Sequence, residues 1–170
     1  MTILYLVRHG ETVDNVHQIM QGQTEGRLTE KGVQQAVELA ARLASEPIDA
    51  FVSSDLRRAV DTCKELAASH GKTMATTPLL RERDWGSFTG RFIPDLKGVA
   101  WPDDIESLEA LMQRASSFLG YIKETYPNQR VVAVGHGIIN KAIQAVFFHK
   151  QMHEVERMAN CEVRILEIEG

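Results

Sequence analysis

Arg8, His9 and Gly10 stand directly after the apolar run Ile3–Val7, and His136 stands between Gly135 and Gly137 after a second apolar run, Val131–Val134. Each run reads as a short buried strand, and the carboxyl ends of such strands are where open α/β sheets bind their ligands. Two histidines delivered in this way point to one site. A neutral imidazole attacks phosphorus well, and the phosphoramidate it forms is itself open to attack by water, so histidine suits nucleophilic phosphoryl transfer. That reaction also needs positive charge around the equatorial oxygens. Arg8 is adjacent to His9, and Arg58 falls in the first turn of a helix that follows a strand, where backbone N–H groups add to the field.

The rest of the chain alternates strand and helix patterns around these residues. Thr12 to Gln23 is polar and reads as a short helix or loop over the site. Thr29 reads as the N-cap of a helix whose apolar stripe is Val33, Ala36, Val37, Ala40 and Leu43, and Pro47 ends it. Ile48–Val52 reads as a second strand; Ser53-Ser54-Asp55 then caps a helix that buries Leu56, Ala59, Val60, Cys63, Leu66 and Ala67. Thr73–Thr77 is a short β-rich run. After the charged stretch Arg81–Gly86, neither periodicity holds from Ser87 to Asp104, which predicts a long irregular loop able to serve as a lid. Leu108, Leu111, Met112, Ala115, Phe118, Leu119 and Ile122 mark a long amphipathic helix, Ile138 to Phe147 another, and Glu162–Ile168 alternates as a last strand. Strands separated by helices predict an α/β fold, a three-layer α/β/α sandwich with a mostly parallel central sheet.

Composition bounds what such a site serves. The chain has 170 residues, 44% of them hydrophobic, which suits one domain (1–170) with a sizeable core. A net charge of −4 gives no global attraction to nucleic acid or to an anionic membrane, so anion binding falls to a local arginine cluster. Cys63 and Cys161 have no CxxC spacing and read as core residues in a reducing compartment. The first apolar stretch is too short and lacks the basic flank of a signal peptide, and no later run is long enough to cross a bilayer, which together predict a cytoplasmic chain.

Taken together, the motifs resemble those of the histidine phosphatase superfamily in its phosphoglycerate-mutase-like branch. The matching pieces are Leu6 to Thr12 with Asn15; Gln21-Gly22, then Leu28 to Gly32 and Gln35-Ala36; Ser54 to Ala59 with Thr62; Leu80 to Gly86 with Gly90; Glu106 to Leu108 with Arg114; and Val134 to Gly137. They span nearly the whole chain in the family's order. The resemblance implies that His9 is the nucleophile, that Arg8, Arg58 and His136 hold the phosphoryl oxygens, and that Glu82 is the general acid. It implies that Asn15 is a further phosphate contact and that Thr12, Gln21, Thr24, Arg83 and Gly137 approach the substrate. Arg57 competes with Arg58, but the family's arginine immediately precedes the alanine. No cofactor and no metal are implied. The expected partner is a small phosphorylated metabolite, with no nucleic acid and no membrane, and the sequence is silent on oligomeric state.

The stretch from Glu82 to His136 is shorter than in glycolytic phosphoglycerate mutases, whose insertion there contributes basic residues for a second anion, so hydrolysis is favoured over mutase chemistry. Arg83 after the acid is mutase-like and could meet an anionic substrate. A phosphohistidine protein phosphatase is a further alternative, opposed by the presence of Glu82, and a silent phosphate-binding protein is opposed by the filling of every chemical position. A metal site of His9, His136 and Glu82 is disfavoured, because neighbouring arginines repel a cation and no HExxH-like spacing occurs. Trp85 and Trp101 flank the irregular loop and are expected to anchor it, with substrate contact as the alternative, and His17, His70, His149 and His153 are expected to lie at the surface.

Overall fold

Alternation along the first strand sets the layering of the computed structural model, which describes residues 1–170. In β1 (Thr2–Arg8), Leu4 and Leu6 join one buried cluster while Tyr5 and Val7 join another on the opposite face, as the two-residue period of a strand requires. A short helix α1 (Val13–His17) follows, then α2 (Glu30–Leu43), β2 (Ala50–Ser54), α3 (Arg57–Ala68), β3 (Ala75–Thr77), α4 (Leu108–Thr125), β4 (Arg130–Gly135), α5 (Gly137–Phe148) and β5 (Val163–Ile168), with short 3₁₀ turns between several of them. One sheet runs in the order β3-β2-β4-β1-β5. Its strands are parallel except β5, which pairs antiparallel to β1 along one edge. Ala36, Leu39 and Leu43 of α2 and Ala59, Cys63 and Leu66 of α3 cover one face; Leu111, Ala115 and Phe118 of α4 and Ile139 and Ile143 of α5 cover the other. The fold is an α/β/α sandwich on a mostly parallel sheet.

The parallel pair β1 and β4 makes the site. Arg8 is in register with Gly135, so the residues that follow, His9 and His136, emerge side by side at one end of the sheet. The His9 N–H donates to the Gly135 carbonyl at 3.2 Å, which carries the pairing one step beyond the strand. Gly10 then passes so close to α2 that a Cβ there would lie 2.6 Å from the Gly32 carbonyl oxygen, and a Cβ on Gly32 would meet the Glu11 oxygen. Only glycines permit that approach, and it fixes how the His9 turn leaves the strand.

Several expectations shift in phase. The buried stripe of α2 is Gly32, Ala36, Leu39, Ala40 and Leu43, while Val33 and Val37 are exposed; the helix is rotated so that Leu39 takes the core position. Leu108 is exposed at the first turn of α4. The Ser53-Ser54-Asp55 cap does not form. Leu56 is the N-cap residue without a side-chain bond, and the free N–H groups of α3 are taken by Glu25, whose carboxylate accepts from Arg57 N at 2.9 Å and whose carbonyl accepts from Arg58 N at 3.1 Å. Thr29 does cap α2, accepting from Gly32 N. The irregular stretch after Asp84 holds two 3₁₀ turns, Gly86–Phe88 and Ile93–Leu96, and hydrogen-bonds to the segment after α1 through Met20 N to Arg91 O and Ile93 N to Gln18 O.

Candidate active site

Arg8, His9, Asn15, Gln21, Arg58, Glu82 and Gly137 all line one cavity of about 220 Å³ at the carboxyl ends of β1 and β4. His9 is almost fully buried, and its Nδ1 lies 2.7 Å from the Gly10 carbonyl oxygen. A carbonyl only accepts, so the ring proton sits on Nδ1 and the lone pair is left on Nε2. Burial, then the charge of Arg58 and more weakly that of Arg8, hold the His9 pKa well below the ordinary imidazole value, against an opposing effect of the Gly10 bond that ranks between the two arginines. The ring is therefore neutral at neutral pH, as a nucleophile must be.

His136 is completely buried behind His9 rather than on the cavity wall; the ring centroids are 5.0 Å apart in an edge-to-face arrangement. Its Nε2 is 2.8 Å from Ser54 Oγ, which also accepts from Leu56 N at 3.2 Å. The Ser54 hydroxyl proton has no other acceptor, so its donation to Nε2 satisfies it and puts the His136 ring proton on Nδ1. Burial first, then Arg58, His9, Arg8 and Arg114, keep this imidazole neutral as well. The serine pair expected to cap α3 thus supplies the group that orients His136.

The two arginines are tied down from behind. Arg8 Nη1 donates to Met158 O at 2.7 Å; Arg58 Nη2 donates to Gly22 O at 2.8 Å and its Nη1 to Thr24 O. Burial lowers the Arg58 pKa to about 10, with Glu82, Asp14 and Glu25 opposing, so it stays cationic at neutral pH. Arg57, the rejected neighbour, is exposed and pairs with Asp61 at 3.4 Å. Five buried side-chain polar atoms have no hydrogen-bond partner, and three of them are Arg8 Nε, Arg58 Nε and His136 Nδ1, all donors of the predicted oxyanion site. A Cβ on Gly137 would lie 3.5 Å from Arg8 Nε, in ordinary contact with that buried donor.

Glu82 sits at the amino end of α5. Its Oε2 accepts from Ile138 N at 3.0 Å, and its Oε1 accepts from Ile139 N and Arg83 N, both at 2.9 Å. Arg114 holds the chain beneath it, donating to the carbonyls of Leu79, Arg81 and Glu82 while paired with Glu106. Asn15 uses Oδ1 to accept from Thr12 N in a capping box and from Asn160 Nδ2, leaving its own amide N–H groups uncommitted beside the cavity.

Thr12, Thr24 and Arg83 do not line the cavity. Thr12 is fully buried, capping α1 and donating to Gln21 Oε1; Thr24 is exposed, with its carbonyl turned to Arg58. Arg83 stacks against Trp85 and Trp101, 5.0 and 5.2 Å from the ring centroids, and donates to Glu106 O at 2.8 Å. Trp101 is 57% exposed and Trp85 lines the cavity, so the tryptophans clamp this arginine instead of anchoring a core. Sequence reading missed Ile19, Met20, Ile93, Lys141 and Arg157, which complete the cavity wall. Only Lys141 carried a signal, standing one helical turn after Gly137. His70 is half-buried, its Nε2 3.0 Å from Leu43 O, and is not a simple surface residue.

Known proteins bear on the geometry in three ways. The curated probable phosphoglycerate mutase GpmB of Yersinia pestis (strain Pestoides F) is 32% identical over 180 residues, covering 96% of this chain and 83% of that protein. Among solved structures, Bacillus stearothermophilus YhfR superposes with a TM-score of 0.93 at 29% identity, covering 100% of this chain and 93% of the other. Phosphoserine phosphatase from Entamoeba histolytica, solved with 3-phosphoglyceric acid, gives 0.85 at 27%, covering 97% and 90%. No helix of this chain is long and apolar enough to cross a membrane. A model of the histidine phosphatase superfamily (branch 1) matches residues 4–170, and with the paired histidines and arginines converging at one sheet end the chain belongs to that family and carries a histidine phosphatase's catalytic machinery.

Proposed function

We propose that this protein is a cytoplasmic, single-domain phosphatase that hydrolyses small phosphate monoesters through a phosphohistidine on His9. The observation that carries the reading is the His9 Nδ1–Gly10 carbonyl bond, which leaves Nε2 unprotonated beside Arg8 and Arg58. The Nε2 lone pair attacks phosphorus, the P–N bond forms as the ester P–O bond breaks, and the departing alkoxide takes a proton from Glu82. Of the two carboxyl oxygens, Oε1 already accepts two N–H bonds and Oε2 one, so Oε2 is the position for the transferable proton. Water then attacks the phosphohistidine, Glu82 recovers its proton, and phosphate leaves. Arg8, Arg58 and the Asn15 amide, which line the cavity, meet the equatorial oxygens, whose charge they stabilise in place of a metal ion, and His136 Nδ1, buried beside His9, joins them when a bound phosphoryl oxygen reaches it.

Hydrolysis of p-nitrophenyl phosphate by the wild type, lost in His9→Ala, is the expected result. Acid-labile, base-stable labelling of His9 by a ³²P-labelled substrate identifies the intermediate; activity retained in His9→Ala would overturn the reading. The name of the Yersinia relative favours a second reading, transfer of phosphate to another hydroxyl. Stoichiometric release of free phosphate separates hydrolysis from that outcome.

A further inference from the structure

The Gly10 carbonyl that faces His9 Nδ1 belongs to a peptide unit whose other side is also held. Glu11 N–H donates to Gln35 Oε1 at 2.9 Å, while Gly10 O lies 2.7 Å from the ring nitrogen. In a trans peptide the C=O and N–H point in opposite directions, so an acceptor on the N–H fixes where the carbonyl points. Gln35 is within reach because Gly10 and Gly32 approach backbone to backbone, and Gln35 stands three residues after Gly32 on the same face of α2. The preceding peptide unit, between His9 and Gly10, is held on both sides as well. Gly10 N donates to Thr62 Oγ1 at 3.1 Å, and the His9 carbonyl accepts from Asn160 Nδ2 at 3.0 Å. Thr62 is fully buried and gives its own proton to Arg58 O at 2.9 Å, so one hydroxyl ties the His9 turn to the first turn of α3. Side chains from three separate segments thus hold the two peptide units that flank a glycine, the residue type with the greatest backbone freedom.

The direction of the Gly10–Glu11 peptide decides which imidazole nitrogen carries the proton. With its carbonyl towards His9, Nδ1 must donate and Nε2 keeps its lone pair. Turned over, the same peptide presents the Glu11 N–H; Nδ1 then becomes the acceptor and the proton moves to Nε2, where no lone pair remains for phosphorus. Gly10 makes that rotation easy unless something opposes it. We propose that Gln35 is a positioning residue that holds His9 in its reactive tautomer by keeping the Gly10 carbonyl turned to the ring, with Thr62 and Asn160 fixing the preceding peptide. This rests on the reading of His9 as nucleophile and adds what selects its attacking nitrogen. It also gives a task to Gln35 and Thr62, two residues of the sequence motifs that the reaction itself does not use.

The tautomer is read in the free enzyme from the two-bond ¹H–¹⁵N correlations of the imidazole, with the His9 signals assigned by their absence from His9→Asn. The wild type is expected to show a protonated Nδ1 and a bare Nε2. In Gln35→Met the Nε2–H form should gain by about threefold to tenfold, the effect of one hydrogen bond on such an equilibrium. Turnover of p-nitrophenyl phosphate should fall in step with the remaining Nδ1–H fraction, with KM little changed. Gln35→Glu, which keeps an acceptor oxygen for Glu11 N, should restore the wild-type tautomer and most of the turnover. Gln35→Lys, which offers a donor instead, should push the ring furthest towards Nε2–H. Thr62→Val against Thr62→Ser repeats the comparison from the preceding peptide, so one misfolded variant does not decide the result. A tautomer unchanged in Gln35→Met, Gln35→Lys and Thr62→Val alike would overturn the proposal, as would a wild type already protonated on Nε2. If the tautomer shifts while the wild type hydrolyses no phosphate ester, the phosphatase reading fails and the positioning of the His9 ring stands.

Discussion

The rings of His9 and His136 meet edge to face with centroids 5.0 Å apart, and each has one nitrogen committed to a neighbour on its own side, Gly10 O for His9 and Ser54 Oγ for His136. Two strands in parallel register bring the rings together, and the two second partners make them different: His9 keeps a lone pair and His136 keeps a proton. One imidazole is built to attack and the other to donate.

That division predicts how the site responds to acid. Both histidines are buried and held neutral, so their C2–H NMR signals should not titrate through pH 6.5 in the free enzyme. The unfolded chain takes up protons at these histidines as pH falls below about 6.5 while the folded chain does not. Stability is thus fully present above that value and declines as pH drops towards the depressed folded pKa values, by up to about 1.4 kcal/mol per pH unit for each histidine. Thermal denaturation between pH 7.5 and 5.5 checks it; His9→Asn should flatten the slope.

Glu82→Gln should slow hydrolysis of alkyl phosphates by about 10²–10⁴-fold, the usual contribution of general acid catalysis, and slow p-nitrophenyl phosphate far less. An alkoxide needs its proton in the transition state, whereas p-nitrophenolate leaves with little help. The substitution also sets an amide N–H₂ against Ile138 N or Ile139 N, so a fall in melting temperature is expected beside the kinetic effect. Equal rate losses on both substrates would assign Glu82 a purely structural part.

Ser54→Ala removes the partner that fixes the His136 tautomer and also leaves Leu56 N without its hydroxyl acceptor. A stability loss of about 1–3 kcal/mol is expected from the unsatisfied buried groups. Turnover should fall more than KM changes, because the His136 proton is no longer fixed on Nδ1. Ser54→Thr, which keeps the hydroxyl, should restore part of both.

Activity should survive EDTA and be unchanged by added magnesium or zinc, since Arg8 and Arg58 supply the charge stabilisation. Inactivation by chelator, reversed by either ion, would contradict this.

What the sequence displayed was whatever depends on local pattern. The two-residue alternation of β1 and β4 and the glycines beside each histidine mark the strand ends that meet at the cavity, while the family resemblance separates Arg58 from Arg57 by its place before Ala59. What it hid depends on long-range approach. Glu25 caps a helix that starts 32 residues later, and nothing in either segment announces the pairing. Lys141 of α5 and Arg157 before β5 reach the same cavity from segments far apart in the chain. The partners of Arg83, two aromatic rings and the Glu106 carbonyl, were hidden in the same way. The phase of α2 was misread because Val33 and Val37 match the helical period almost as well as Leu39 does.

The carboxylate of Glu82 closes the amino end of the helix that carries Gly137 and Lys141, taking backbone N–H groups that water or another residue would otherwise have to meet. With the proposed acid role, selection on this position acts twice, once through the reaction and once through the folded state. A substitution that removes the acid exposes a helix terminus directly beside His136, and the cost falls on every molecule made, whether or not substrate is present. Drift from catalyst to inert phosphate binder is thereby steepened at its first step, because a lineage abandoning the chemistry must also find a new cap for α5.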